Sequence, residues 1–199
     1  GLPDTDASGG GSPFEGVGTL DSHVVVLSLP IEVVRDLLPS GLELAPQIVT
    51  PTGKHPVFVL LSTDHFEAWF GNMDYHELMI GVPYTQLSDR SAPNRGPFIY
   101  MPRLYLDAPV PRRLGNLLYG FEKLEADIRC SATTYEVTDA AGRTLARAEM
   151  QDLGTPAAPA DFAGFEQVRQ LFEQPTVSQA LRIVDPNAFY AKDDEGPFL

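Results

Sequence analysis

A succession of apolar runs with the character of β-strands constrains the fold of this 199-residue chain more than any other feature. The runs are rich in Val, Leu, Phe and Tyr and are separated by Pro, Gly and Asn, a pattern that favours strands joined by turns. The stretches with a helical pattern are few and short. This balance predicts an α+β fold: a curved, largely antiparallel sheet or a closed β-barrel-like core with a few short helices and an internal cavity. The predicted strands are 23–29, 56–64, 75–84, 98–107, 123–139 and 144–150, and the predicted helices are 31–38, 110–119 and 164–174.

The first 18 residues, GLPDTDASGGGSPFEGVG, differ from the rest of the chain in composition. They are rich in Gly, Ser, Pro and Asp and lack an apolar period, so they bury too little surface to offset the entropy of ordering. The remaining length suits one sizeable core better than two. We therefore predict a flexible lead over 1–18 and a single domain over 19–199.

The charge of the chain excludes several classes of partner. Fourteen basic residues against 27 acidic ones give a formal net charge of -13, which repels nucleic acid phosphates and anionic lipid surfaces. No apolar run approaches the roughly 20 residues that a membrane-spanning helix needs. The single cysteine excludes an intramolecular disulfide, and a reducing cytoplasm is the expected location.

The chain has only three lysines, and they differ in their surroundings. Lys54 lies in a predicted turn and Lys192 in an acidic tail, whereas Lys123 follows an apolar helix and begins an apolar strand. An amine attacks a carbonyl only in its free form, which desolvation favours. Lys123 alone is therefore a candidate nucleophile. Two interpretations remain open, because strand alternation also places Lys123 on a polar face with Glu125 and Asp127, and such a face lines either solvent or the interior of a curved sheet.

Arg103 interrupts the apolar run FIYMPRLYL, where a core side chain is expected. A buried arginine needs an anion, and a bidentate contact to a substrate carboxylate would suit a keto acid. The alternative is a structural ion pair, with Asp107 on the same strand face or with Glu77 in the apolar strand YHELMIGV. Both interpretations stay open.

Several ordered motifs resemble the acetoacetate decarboxylase superfamily. They are YHE in a strand, YMPRLYLD in a later strand, a helix that begins near a proline, and then GNLLYGFEKL. The earlier VRDLLPSGLEL resembles the family's helix that ends in Leu-Pro before an L-x-L stretch. The likeness spans roughly residues 20–150.

This resemblance implies a lysine Schiff-base enzyme that acts on a small keto acid or a related carbonyl compound. The family's imine-forming lysine falls on Lys123, and the glutamate that lines its pocket falls on Glu77. Arg103 is the candidate for binding the substrate carboxylate, and Tyr119 and Phe121 are candidates for the pocket wall. The resemblance implies no cofactor and no metal.

The sequence departs from the family's pattern close to the lysine. The family's second lysine is Leu124 here, the preceding proline is Glu122, and an arginine and a glutamate are replaced by Asn116 and Leu117. An early arginine of the family aligns near Leu20. Decarboxylation and aldol or dehydration chemistry are therefore both expected outcomes, and a noncatalytic small-molecule-binding protein of the same fold is the alternative.

Two further expectations follow. His65, Asp74, His76 and Glu77 supply metal-ligand atoms, but their spacing matches no compact zinc pattern, so we expect no metal site. The part of the chain after Lys123 is shorter than the corresponding part of the family. A homo-oligomer is one way in which the pocket would be completed.

Overall fold

The computed structural model describes residues 17–68, 71–92, 94–118, 120–151, 154, 158, 161–178 and 190–192. This part of the chain forms ten strands and three short helices. The strands are β1 (Val17–Pro30), β2 (Leu42–Leu44), β3 (Lys54–Ala68), β4 (Gly71–Leu87), β5 (Phe98–Leu106), β6 (Lys123–Cys130), β7 (Thr134–Asp139), β8 (Thr144–Glu149), β9 (Thr176–Ser178) and β10 (Tyr190–Lys192). The helices are α1 (Ile31–Arg35), α2 (Pro109–Leu118) and α3 (Phe165–Phe172).

The strands form one curled sheet with the order β1-β3-β4-β5-β6-β7-β8, and β2 and β9 pair with β4 and β5 beside this path. Successive strands run antiparallel except at β5, which pairs in parallel with β6 and with β9. The parallel β5–β6 pair requires a crossover, and α2 supplies it. The predicted α+β class with a curved, largely antiparallel sheet is confirmed.

Apolar cores cover both faces of the sheet. Because neighbouring residues of a strand point to opposite sides, Leu60 and Leu61 of β3 belong to different cores, as do Met79 and Leu78 of β4. We call the side that carries Leu60 and Met79 the lysine face, because Lys123 also points to it, and the other side the opposite face. The buried core on the lysine face consists of Phe58, Leu60, Met79, Ile99, Met101, Leu104, Leu171 and Phe172. That on the opposite face consists of Leu61, Leu78, Ala126, Ile128, Tyr135 and Val137.

Some predicted boundaries differ from those of the structure. The single strand predicted over 123–139 is two antiparallel strands, β6 and β7, because Ser131 closes a turn with Thr134 through backbone and side-chain hydrogen bonds. A polar turn of this kind is hidden in the sequence by the apolar alternation on either side of it. Strand β1 begins at Val17, inside the predicted lead, while 1–16 lie outside the described residues.

Within the described ranges, no helix is both long enough and apolar enough to span a membrane.

Candidate active site

The crossover β5–α2–β6 places Lys123 at the first position of β6, beside Leu104 of β5. On the other side of β5, Leu106 pairs with Glu77 of β4, so β5 separates the lysine from the glutamate. Neighbouring strands lie about 4.8 Å apart, and two long side chains on one face can meet across a single intervening strand. Register therefore directs Lys123 and Glu77 toward each other.

Helix α2 holds the backbone of Lys123 through the side-chain amide of Asn116. The Lys123 N–H donates to Asn116 Oδ1 over 2.7 Å, and Asn116 Nδ2 donates to the Lys123 carbonyl over 3.0 Å. One amide thus satisfies both backbone groups at the start of the strand, and it fixes the point from which the lysine side chain leaves the backbone. Asn116 was noted in the sequence only as a departure from the family, so its positioning role was missed.

Gly115 gives the lysine stem its space. A Cβ atom at this buried glycine would lie 2.4 Å from Cδ and 2.6 Å from Cε of Lys123, well inside van der Waals contact. The stem therefore lies directly against the helix backbone. No pattern of alternation or periodicity identifies this role, because it depends on the packing of α2 onto β6.

Replacing Gly115 with alanine should separate the effects on the site and on stability. Alanine raises helix propensity by about 1 kcal/mol over glycine, but its Cβ displaces the Lys123 stem and disrupts the buried pair with Glu77, so the free energy of unfolding should change little or fall. The lysine must leave its position, so any reaction of its amine should slow by about tenfold or more. Urea unfolding measures the effect on stability, and exchange of the methyl protons of pyruvate in D₂O measures the effect on the amine. A stable variant with full exchange would show that the stem position does not matter.

The amine of Lys123 and the carboxylate of Glu77 form a buried ion pair, with 3.0 Å between Nζ and Oε1. The two side chains are 10% and 3% exposed. Elsewhere in the described part of the chain, no polar atom hydrogen-bonds Oε1. The exposed neighbours Glu125 and Asp127 lie on a solvated stretch of the same strand, whereas Lys123 is enclosed.

Burial raises the pKa of Glu77 to about 7, and the negative charge of Asp64 acts in the same direction. The nearby charge of Lys123 opposes the rise by favouring the carboxylate. A carboxyl group with a pKa near neutrality can both accept and return a proton at physiological pH. Glu77 thus has a suitable position and a suitable proton affinity for passing a proton to and from the adjacent amine.

Asp64 is a second carboxylate on the lysine face, and sequence reasoning did not single it out. It lies two residues beyond Ser62, which pairs with Glu77 in the β3–β4 register. The Ser62 hydroxyl donates to Asp64 Oδ2 over 2.9 Å and also contacts the Glu77 carbonyl. Burial raises the pKa of Asp64, while the Ser62 hydrogen bond and the charge of Lys123 oppose the rise. The available signal was the three polar residues, STD, at the end of the apolar strand PVFVLLSTD.

Tyr135 braces the same part of the sheet from the opposite face. Its hydroxyl lies 3.1 Å from the Ser62 carbonyl and 3.0 Å from the Glu77 carbonyl, so it bridges β3 and β4 where the site residues lie. Its ring is buried in the core of that face. This contact fixes the spacing of the two strands beneath the ion pair.

Arg103 does not join the site. Its neighbour Leu104 pairs with Lys123, so Arg103 points to the opposite face, and its side chain is exposed. The expectation of a buried arginine was wrong because the alternation of β5 turns this position outward. A hydrogen bond with Tyr105 and the charge of Glu122 raise the pKa of Arg103. The proposed structural partners bind elsewhere, since Asp107 contacts His76 and Glu77 contacts Lys123.

Of the two aromatic residues predicted for the pocket wall, the structure describes only Phe121. Phe121 is half-buried, and its side chain packs against the lysine-face core just before Lys123. Its backbone N–H donates to the Gly115 carbonyl. Phe121 therefore stays a candidate for the pocket wall. Tyr119 lies outside the described residues.

Two surface grooves lie away from the ion pair. One, of about 300 Å³, is lined in part by Asp36, Arg103 and Glu122, and the other, of about 490 Å³, runs past Arg35, Gln47 and His55. Neither is lined by Lys123 or Glu77. The described residues hold no group of three or more His, Cys, Asp or Glu side chains suited to a metal ion.

Comparison with known proteins identifies the fold. No family model and no curated protein sequence matches the chain. Among solved structures, the enduracididine biosynthesis enzyme MppR, complexed with the condensation product of pyruvate and imidazole 4-carboxaldehyde, superposes with a TM-score of 0.55 at 17% identity. The acetoacetate decarboxylase of Legionella pneumophila gives a TM-score of 0.55 at 16% identity. The chain has the acetoacetate decarboxylase fold.

The chain is shorter than these neighbours. The superposition with MppR covers 83% of this chain but 62% of MppR, and that with the decarboxylase covers 80% and 56%. The chain thus spans about three-fifths of the length of each. At these identities the likeness establishes the acetoacetate decarboxylase fold, while the chemistry has to be argued from the site.

Proposed function

We propose that this protein is an enzyme that forms an imine between Lys123 and the carbonyl group of a small keto acid or related carbonyl compound. The observation that carries the proposal is the buried contact between Lys123 Nζ and Glu77 Oε1, 3.0 Å apart. Burying two such charges is costly, and apolar residues of similar size would fill the space with less penalty. A pair of this kind, on an acetoacetate decarboxylase fold whose solved examples include enzymes, supports a catalytic role.

Glu77 supplies what the first step requires. The ammonium of Lys123 must lose a proton before it can attack, and Glu77, with a pKa of about 7, is adjacent to accept it. After the transfer the pair consists of a neutral amine and a neutral carboxylic acid. Both are the forms that burial favours.

The free amine then attacks the carbonyl carbon, and the carbonyl π electrons move to oxygen to give a carbinolamine. Proton transfers, in which Glu77 returns the proton that it accepted, allow water to leave and an iminium ion to form. The iminium withdraws the electron pair of an adjacent C–H bond, which releases a proton, or that of an adjacent C–C bond, which releases carbon dioxide from a β-keto acid. Either route gives an enamine. Protonation of the enamine and hydrolysis return the lysine, and attack of the enamine on a second carbonyl gives aldol chemistry.

Exchange of methyl protons tests this proposal without knowledge of the natural reaction. Pyruvate and its uncharged isostere pyruvamide are incubated with the protein in amine-free buffer in D₂O, and the methyl signal is followed by proton NMR. We expect the protein to accelerate loss of this signal, because each imine–enamine cycle replaces a proton with deuterium. No acceleration with either compound would favour a noncatalytic binding protein of the same fold.

A further inference from the structure

Asp64 is the charged group of the site that the proposed mechanism does not use. It is half-buried on the lysine face and held by the Ser62 hydroxyl at 2.9 Å. Its position is fixed by register, since Ser62 lies directly opposite Glu77 and Asp64 lies opposite Tyr75. The charge of Asp64 is felt at Glu77, where it raises the pKa, and the charge of Lys123 is felt at Asp64.

Asp64 determines the net charge of the candidate site, which consists of Lys123, Glu77 and Asp64. Lys123 and Glu77 together are neutral in both of their forms, as an ammonium with a carboxylate and as an amine with a carboxylic acid. Proton transfer within the pair therefore leaves the net charge unchanged. When Asp64 is ionised, the three side chains carry a net charge of minus one in either form.

Apart from Lys123, the basic groups near Asp64 do not lie on the lysine face, so they do not neutralise its negative charge there. In the described part of the chain, the basic groups whose charge acts on Asp64 are Lys123, His65 and His76. Both histidines belong to the opposite face, where each contacts an aspartate of its own. Across the β1–β3 register, the residue opposite Asp64 is the apolar Leu20.

Arg103 of β5 and Arg112 of α2, on the two elements that pack beside Lys123, do not balance this charge either. Arg103 points to the opposite face. Arg112 of helix α2 contacts the carboxylate of Glu125. Neither arginine affects the pKa of Glu77. In the described part of the chain, Lys123 is the cation that does.

We propose that Asp64 determines substrate specificity at Lys123 by disfavouring carbonyl compounds that carry a carboxylate beside the carbonyl and favouring uncharged or cationic ones. This inference rests on the proposed imine chemistry and narrows its substrate class. A substrate carboxylate brought to the amine enters the field of Asp64 at a partly desolvated site, where like charges repel more strongly than in water. An uncharged compound escapes this repulsion, and an ammonium or imidazolium group on the substrate is attracted.

The test compares pyruvate with pyruvamide, which differ in charge and little in shape. The measured quantity is the ratio of kcat/KM for methyl exchange, pyruvamide over pyruvate, for the wild-type protein and for Asp64→Asn. Asparagine keeps the oxygen that accepts from Ser62, so the local hydrogen bond and the fold should be kept. Intrinsic differences in reactivity between the two compounds cancel when the ratios of two proteins are compared.

Two further variants control for charge. Asp74→Asn removes a negative charge from β4 on the opposite face, where Asp74 is exposed and contacts His65. Asp64→Glu keeps the charge at the site. We expect the ratio to fall by about tenfold in Asp64→Asn, the size of one partly screened charge interaction, and to change little in Asp74→Asn and Asp64→Glu.

The outcomes separate this inference from the proposed function. If exchange depends on Lys123 but the ratio is the same in the wild-type protein and in Asp64→Asn, the inference about Asp64 is wrong and the imine chemistry stands. An equal change in Asp74→Asn would also overturn it, since a general effect of net charge would then explain the result. If neither compound exchanges and borohydride traps no adduct on Lys123, both proposals are wrong.

Discussion

Replacing Lys123 with alanine is expected to reduce methyl exchange to the rate seen without protein, a loss of more than about 10³-fold. The reason is that the amine provides the covalent route, and no other described residue can replace a nucleophile that forms an imine at this position. Proton NMR in D₂O measures the effect. Lys123→Met is the matched variant, because its unbranched stem fills the space against Gly115 without an amine.

The other lysines provide the control. Lys54 lies at the exposed start of β3 and has no part in the site, so Lys54→Met should exchange protons like the wild-type protein. Equal loss in the Lys54 and Lys123 variants would indicate a general effect of lysine removal. Full exchange in a folded Lys123→Met protein would rule out the imine at Lys123.

Replacing Glu77 with glutamine is expected to change both the rate of exchange and the pH dependence of stability. The native pKa of Glu77 is about 7, against an ordinary value of 4.5. Below pH 4.5 both the folded and the unfolded chain hold this proton. Between 4.5 and 7 the unfolded chain loses it while the folded chain keeps it, so the free energy of unfolding falls as the pH rises. Above pH 7 both are ionised and the loss is complete.

Glutamine does not titrate and so removes this slope. From pH 4.5 to 7.5, the free energy of unfolding of Glu77→Gln should rise relative to that of the wild-type protein by on the order of 3 kcal/mol, at about 1.4 kcal/mol per unit of pKa. Urea unfolding at four or five pH values measures the difference. Glu125→Gln, an exposed glutamate on the next strand but one, is the control and should show no comparable slope. Parallel pH profiles for Glu77→Gln and the wild-type protein would contradict the assignment.

The same variant should slow exchange by about 10² to 10⁴, the usual contribution of a positioned proton acceptor. In the wild-type protein the rate should rise with pH through about 7 as Glu77 ionises. This increase of the rate with pH should be absent from Glu77→Gln. A variant that exchanges at the wild-type rate across this range would show that Glu77 is not the proton acceptor for Lys123.

Much of the fold could be predicted from local sequence patterns. The apolar runs and their punctuating Pro and Gly residues predicted the main strands and the three helices, because side-chain alternation and helical period are local properties. The turn at 131–133 was missed because polar residues can occupy alternating positions in a strand as readily as in a turn. Parallel pairing of β5 with β6 was not predicted, because the strand–helix–strand order in the sequence does not by itself fix which strands pair.

Some residues of the candidate site were selected from the sequence. Lys123 was selected because the other two lysines lie in polar segments, and Glu77 was selected by resemblance, and the structure brings their side chains together. Arg103 was misplaced because an apolar run suggests burial of every side chain in it, whereas the side chain of Arg103 is exposed at its own position in β5. Gly115, Asn116 and Asp64 were missed because their roles arise from the packing of α2 on β6 and from the β3–β4 register. These are relations between segments that composition and spacing do not encode.

Borohydride trapping is the most direct test of the central claim that Lys123 forms an imine. The protein is incubated with pyruvate, acetoacetate and pyruvamide in turn, reduced, and examined by intact mass and peptide mapping beside Lys123→Met and Lys54→Met. We predict one stable adduct per chain on the peptide that contains Lys123, present in Lys54→Met and absent from Lys123→Met. No adduct on folded wild-type protein, or an adduct that persists in Lys123→Met, would contradict the account.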